Sequence, residues 1–498
     1  MTDAESKAET TVERIALAPG FTIARAITGL WQIADLERDG KSLDLDATAR
    51  AMAPYVAAGF TTFDMADHYG SAEIVAGAYR ESLGDGAAVQ LLTKWVPKPG
   101  PVTRESVREA VGRALGRLRG TTVDLMQFHA WNYADPSWLD ALYFLQELKE
   151  EGLVRHLGLT NFDTAHLRIV VTSGIDVVSN QVSFSLLDQR AAGAMSDLCL
   201  TSGVRLLAYG TVAGGFLSDR WLGKPEPDWG ALETWSQMKY GRFLREAGGW
   251  EALQRVLRAA DHVARKHGVS LANVASRWIL ESPAVAGVIL GARLGVSAHE
   301  EDNARLFAFA LDRDDRATLG AALSTLAPIP GDCGDEYRKP PYLTASGDLS
   351  HHLDRFPPPY DVREGRNGRT LALSGTPWES MAGYSRAVRQ GTRIHVSGTT
   401  ATHRDRVIGA GDPAAQAHFV IDKIEGAMQS LGGTLDDVVR TRVFVSRMDD
   451  WEVVARAHGE RFGAILPANT LVHAGLIGEE YLVEMEAEAD LGREEQDG

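Results

Sequence analysis

Residues 123–161 read VDLMQFHAWNYADPSWLDALYFLQELKEEGLVRHLGLTN. Two short apolar runs, VDLMQFHA and VRHLGLTN, flank a longer stretch of different period. In SWLDALYFLQELKEEG, Leu139, Leu142, Leu145 and Leu148 recur every three residues. That spacing gathers them into one helical stripe and leaves the acids and the lysine elsewhere. Gly152 follows as a helix stop. The unit is strand, helix, strand.

The same alternation runs from about residue 20 to 310. Further apolar runs are FTIARAITGLW, GFTTFDMAD, VQLLTKW, VVSNQVSFS, VRLLAYG and AVAGVILGAR. Helical stretches between them include ATARAMAPYVAAG, SVREAVGRALGRL and NVASRWILES. Eight runs alternating with helices over about 290 residues suit an α/β fold, a parallel (β/α)₈ TIM barrel. A doubly wound sheet is the competitor, and it would carry a GxGxxG turn after its first strand for a dinucleotide. No such turn follows any run, and GTVAGGF does not fit that fingerprint.

The texture changes near residue 330. Pro, Gly and charge dominate 331–370, including FPPPY, which reads as a stiff linker partly packed on residues 1–330. His351 and His352 lie within it and read as a solvated pair, since no third ligand is spaced nearby. From 371 to 490 the strand candidates YSRAVRQ, RIHVSGTTA, VVRTRVFVS, NTLVHAGLI and LVEMEAEA join the helix candidates AAQAHFVIDKIEGAMQSLG and DWEVVARAHGERFGAI. These make a compact α+β domain, with 491–498 as a tail.

Bulk properties narrow the function. The 498 residues are 44% hydrophobic and 24% charged, ordinary for globular domains. A net charge of −16 without a Lys/Arg cluster disfavours nucleic acid. No apolar run approaches the roughly 20 residues of a membrane span. The N-terminus lacks the apolar core of a secretory signal. The two cysteines, Cys199 and Cys333, suggest neither a disulfide framework nor a metal site. A reducing cytoplasm is the expected location.

In such barrels the reacting groups sit at the C-terminal ends of strands. Reading those ends gives Asp64 and Tyr69 in FDMADHYG, then Lys94, His129, Thr160, Asn161, Gln181, Tyr209 and Arg293. A phenol titrates near 10, too high for an efficient acid at neutral pH. A lysine cation beside it would lower that value, a carboxylate would hold the lysine, and a histidine would orient the substrate oxygen. Such a set protonates a carbonyl oxygen while hydride reaches the carbon, with no metal needed. Asp67 and His68 are left to shape the turn, Asp67 as a cap for the helix starting at Ser71. Trp31 and Trp131 read equally as pocket walls or plain core.

These motifs, FDMADHYG, LLTKW, LMQFHA, GLTNF, NQVSFS, LLAYGTVAGGFL and VILGAR…EEDN, resemble the aldo-keto reductase family over residues 12–325. The resemblance implies an oxidoreductase in which Tyr69 is the general acid, partnered by Asp64, Lys94 and His129. It implies that Thr160, Asn161 and Gln181 hold the nicotinamide carboxamide and Tyr209 stacks on the ring. Residues Gly210, Thr211, Val212, Gly214 and Leu217 would cover the pyrophosphate. Gly291, Arg293, His299 and Asn303 would take the adenosine end. Arg293, ten positions before Asn303, matches a 2′-phosphate contact, so NADPH is expected over NADH. Family members often carry arginine where His299 stands.

Residues 372–490 resemble the Rid (RidA/YjgF) family, through GYSRAV, IHVSGTTA, VVRTRVFVSRMDDWEVVARAHGERFG, LPANTLV and LVEMEAEA. That implies a chorismate-mutase-like fold, a homotrimer with clefts between subunits, and hydrolysis of imines or enamines to carbonyl and ammonia. Tyr384, Gly398, Thr399 and Glu484 fall on cleft positions. The family's carboxylate-binding arginine is Asn469 here. Three roles stay open for this domain: imine hydrolysis without a carboxylate clamp, ligand sensing, or trimerisation of a single-activity carbonyl or cyclic-imine reductase.

Overall fold

The computed structural model describes residues 11–37, 40–84, 89–344 and 356–492. His351 and His352 lie outside them. Eight strands close a parallel barrel in chain order: Ala26–Gly29, Thr62–Asp64, Gln90–Trp95, Val123–Phe128, Val154–Thr160, Val177–Ser183, Arg205–Tyr209 and Val285–Gly291. The last strand pairs with the first in the register Val288 to Ala26 through Gly291 to Gly29. Each strand is fed by one of the apolar runs. Most strand residues are buried on both faces, as expected of a sheet wrapped by helices.

The helix expected after the fourth strand spans Ser137–Glu150, and Leu139, Leu142, Leu145 and Leu148 are all buried. An N-terminal hairpin, Arg14–Ala18 with Phe21–Ala24, plugs one end. Its Leu17, Phe21 and Ile23 pack on Ile27, Leu92, Leu125 and Leu207. Polar chemistry is therefore confined to the opposite, C-terminal end. No helix among the described residues is long and apolar enough to cross a membrane.

The second domain is a seven-stranded sheet in the order Asp361–Glu364, Arg369–Leu373, Ala387–Gln390, Arg393–Thr400, Val483–Asp490, Val438–Val445, Ala468–His473. Only the last pair is parallel. The helices Pro413–Ser430 and Trp451–Phe462 pack together, the first also against the sheet. One of these strands, Asp361–Glu364, and the first two residues of another, Arg369–Leu373, lie in the stretch read from sequence as linker. Their β-period was masked by the surrounding Pro, Gly and charge.

Polar groups tie the domains together. His166 sits between Asp163 at 2.6 Å and Asp422 of the second domain at 2.9 Å. Asp140 meets His403 at 2.9 Å and Arg404 at 2.8 Å. Gly426 lies so near the barrel that a Cβ there would fall 2.3 Å from the Ala134 carbonyl oxygen. A side chain at this position would push the helix off the barrel.

Candidate active site

At the C-terminal rim a cavity of about 210 Å³ is lined by Asp64, Tyr69, Lys94, His129, Trp31 and Trp131, among others. Strand ends place the four titratable groups. Asp64 closes the second strand, Lys94 lies near the end of the third, and His129 follows the fourth. Lys94 Nζ donates to Asp64 Oδ2 at 2.6 Å and to the Met65 carbonyl at 2.8 Å. Asp64 Oδ1 accepts from Gln127 Nε2 at 3.0 Å and Gln181 Nε2 at 2.8 Å. The carboxylate is thus satisfied by three donors from three strands, and it fixes the lysine beneath the Tyr69 ring, 4.8 Å from its centroid.

The electrostatics depart from the sequence expectation. Burial first, then the Asp64 charge, hold the Tyr69 phenol well above its ordinary value rather than below it. Burial pulls Lys94 itself below the ordinary lysine range, opposed by Asp64. Tyr69 is therefore a neutral phenol. Burial, then Arg338, lower His129 to about 3, so its imidazole is neutral. Its Nδ1 lies 3.3 Å from the Thr160 carbonyl and so carries the proton; buried Nε2 has no partner among the described residues. Nε2 is an unused acceptor.

The other predicted residues divide. Thr160, Asn161, Gln181, Tyr209, Gly210, Val212, Gly214 and Gly291 line the same cavity. Asn161 adopts φ 60°, an uncommon conformation for a residue with a side chain, and its Oδ1 lies 2.7 Å from the Tyr209 hydroxyl. Gln181 points at Asp64 and Gln127. Thr211 and Leu217 are fully buried, with the Thr211 hydroxyl against Ser276, and they do not line the cavity. Arg293, His299 and Asn303 also lie outside the cavity lining, the first two exposed on the loop after the last strand. Asp67 does not cap the helix Ala72–Ser82. Glu37 binds the Ser71 amide at 2.8 Å instead, while Asp67 bonds His68 and the Val96 amide.

Sequence reading missed one wall. Residues 331–344, taken as linker, fold back over the rim. Buried Glu336 pairs with Arg190 at 2.9 Å and faces the Tyr209 hydroxyl at 3.2 Å. Tyr337 stands edge-on to His129, and Arg338 donates to the Ala130 and Asn161 carbonyls. Trp235, Lys239 and Tyr240 complete that side, Lys239 Nζ lying 4.5 Å from the Tyr209 ring centre. The one available signal was chemical: EYR in a loop rich in Pro, Gly and Asp. A larger void, about 1150 Å³, lies between the domains and shares Trp131 and Tyr337 with the cavity.

In the second domain Tyr384, Gly398, Thr399 and Glu484 cluster around Arg386, another residue not anticipated. Arg386 is 3% exposed and donates to the Gly398 carbonyl, Thr399 Oγ1 and the Tyr384 hydroxyl. A Cβ on Gly398 would lie 2.2 Å from Glu484 Oε1, so a side chain there would displace the carboxylate. Burial raises the Glu484 carboxyl against the pull of Arg386. Asn469 is not in this cluster. It is exposed and bonds Thr441, three register positions and two strands away from Glu484. Within one chain that separation is about 14 Å.

Comparison with known proteins bears on both domains. The model of the aldo/keto reductase family matches residues 26–323, and that described as endoribonuclease L-PSP matches 375–491. An uncharacterized protein of Streptomyces coelicolor is 40% identical over 120 residues, covering 24% of this chain and 90% of that protein. Protein tas of Escherichia coli is 30% identical over 211 residues, covering 38% of this chain and 59% of that protein, less than two thirds of its length. The structure of a glycerol dehydrogenase from Gluconobacter oxydans superposes with a TM-score of 0.53 at 20% identity, covering 65% of this chain and 98% of that one. At that identity the likeness shows the fold alone.

Proposed function

Since the chain belongs to the aldo/keto reductase family, we propose that its barrel reduces the carbonyl group of a small molecule at the expense of NADPH. The observation that carries this reading is the buried Asp64–Lys94 pair under Tyr69, with His129 on the same cavity wall. Tyr69 gives its proton to the carbonyl oxygen. Lys94, braced by Asp64, favours negative charge developing on that oxygen and on the phenol behind it. His129 Nε2, an acceptor, orients the resulting hydroxyl. Trp31 and Trp131 offer apolar walls to the rest of the substrate.

A nicotinamide cofactor fits the residues present. Tyr209 offers an aromatic face at the cavity wall, beside Thr160, Asn161 and Gln181. Exposed Arg293 makes no ion pair among the described residues, leaving its guanidinium for a phosphate. When bound, NADPH supplies the hydride. The cofactor choice is tested by kinetics with both nucleotides. Arg293→Ala should raise KM for NADPH at least tenfold and leave KM for NADH within about twofold. Equal changes for the two would remove Arg293 as the discriminating contact.

For the second domain, we infer that it hydrolyses imines lacking a carboxylate, as a Rid-like partner that feeds carbonyl compounds to the barrel. The cluster of Glu484, Thr399, Tyr384 and Arg386 supports this, and so does the position of Asn469 outside it. Exposed Val439, Leu466, Val472 and Ile477 suit burial in a trimer. Ammonia release from an enzymatically generated imine, lost in Glu484→Gln, is the expected result. Background release by both proteins would leave the trimerising or sensing role.

A further inference from the structure

Lys423 lies on the helix Pro413–Ser430, is 4% exposed, and takes no part in the chemistry above. Its amine donates to the Thr400 carbonyl at 3.0 Å and the Thr402 carbonyl at 2.7 Å. Those are all its polar contacts among the described residues, and neither acceptor is a carboxylate. A neutral amine has two N–H bonds, so both are satisfied here and the lone pair is left over. An ammonium would carry a third N–H that no protein acceptor among the described residues meets.

The surroundings act in the same direction. Burial, then the Arg386 charge, draw the Lys423 amine well below the ordinary lysine range, and Glu379 opposes them. Glu379 is occupied by the Ser374 amide and hydroxyl and the Gly375 amide. Asp140 is held by His403 and Arg404. Lys423 lines a cavity of about 370 Å³ together with Asp135, Tyr360, Ser374, Thr402 and His403. That volume suits a small ligand. Asp135 stands on the same wall, its carboxyl raised above the ordinary value by burial.

We propose that Lys423 is a nucleophile that captures a small aldehyde or ketone in this interdomain cavity as an imine. The amine lone pair forms a C–N bond to the carbonyl carbon, and the oxygen takes a proton to give a carbinolamine. The C–O bond then breaks with release of one water, leaving C=N to Lys423; addition of water reverses it. A desolvated lysine beside a second cation is the arrangement that activates an amine for this step. The cavity is distinct from the rim cavity of the barrel and from the Glu484 cluster, although Asp135 belongs to the barrel domain and Arg386 to that cluster, so failure of the proposal would leave both of those readings standing.

The test is reductive trapping on the full-length protein. Butanal and cyanoborohydride are added at pH 6.5, where ordinary lysines are protonated, and the adducts are mapped by peptide mass spectrometry. Lys423 should be alkylated at least tenfold faster than the median lysine, and Lys423→Arg should remove that adduct without changing the others. No Lys423 adduct, or one no faster than the median, overturns the proposal. The wild-type map decides this even if the variant does not fold.

Discussion

Lys94 and Lys423, one in each domain, are equally buried, each 4% exposed. Their partners differ. Lys94 meets a carboxylate at 2.6 Å; Lys423 meets two neutral carbonyl oxygens. Burial lowers both amines, but Asp64 opposes it at Lys94 while Arg386 reinforces it at Lys423. One lysine is a fixed cation suited to stabilising negative charge. The other is an amine with a free lone pair. Burial alone does not decide what a lysine does; the charge of its neighbours does.

The largest expected effect tests the cation's purpose. Tyr69→Phe removes the proton that Lys94 helps to release, and reduction should fall about a thousandfold in steady-state NADPH oxidation. Asp64→Asn turns the Lys94 environment into one like that of Lys423. Activity should drop about a hundredfold, and the fold should lose about 3 kcal/mol in denaturant titration, since a buried charge loses its partner. Wild-type behaviour in both assays would dissolve the contrast between the two lysines.

The domain contact offers a smaller effect. His166, between Asp163 and Asp422, has its pKa raised above the ordinary histidine value by those two carboxylates despite burial. A group whose folded pKa is raised contributes stability fully below its unfolded value, near 6.5, and loses it as pH climbs through the folded value. The Tm of the wild type should therefore fall by a few degrees from pH 6 to 9, and His166→Gln should flatten that slope. The smallest effects belong to groups without a role in proton transfer. Asp67→Asn should stay within about threefold of wild type. The pH profile of reduction should show no limb near 6.5, because His129 is already neutral.

Much of this was legible because it is written in short-range pattern. The stripe Leu139, Leu142, Leu145 and Leu148 and the apolar runs carry helix and strand periods that any window reveals. Alternation of the two dictates a parallel barrel, and a barrel puts Asp64, Lys94 and His129 at one rim. The remainder depended on contacts between residues far apart in sequence. The wall formed by Glu336, Tyr337 and Arg338 hid in a stretch whose Pro and Gly content signals only irregular backbone. Tyr69 was expected to titrate low, because a sequence shows that a lysine exists and not what it is paired with. Nothing in the local pattern around Arg386 and Lys423 marks them as buried. Composition and periodicity determined the parallel barrel, the α+β character of the second domain and the order of the barrel's rim residues, while the second domain's particular fold came from its family resemblance. The protonation of Tyr69, His129 and Lys423 was decided only by the tertiary structure, because desolvation and neighbouring charge are properties of three-dimensional packing.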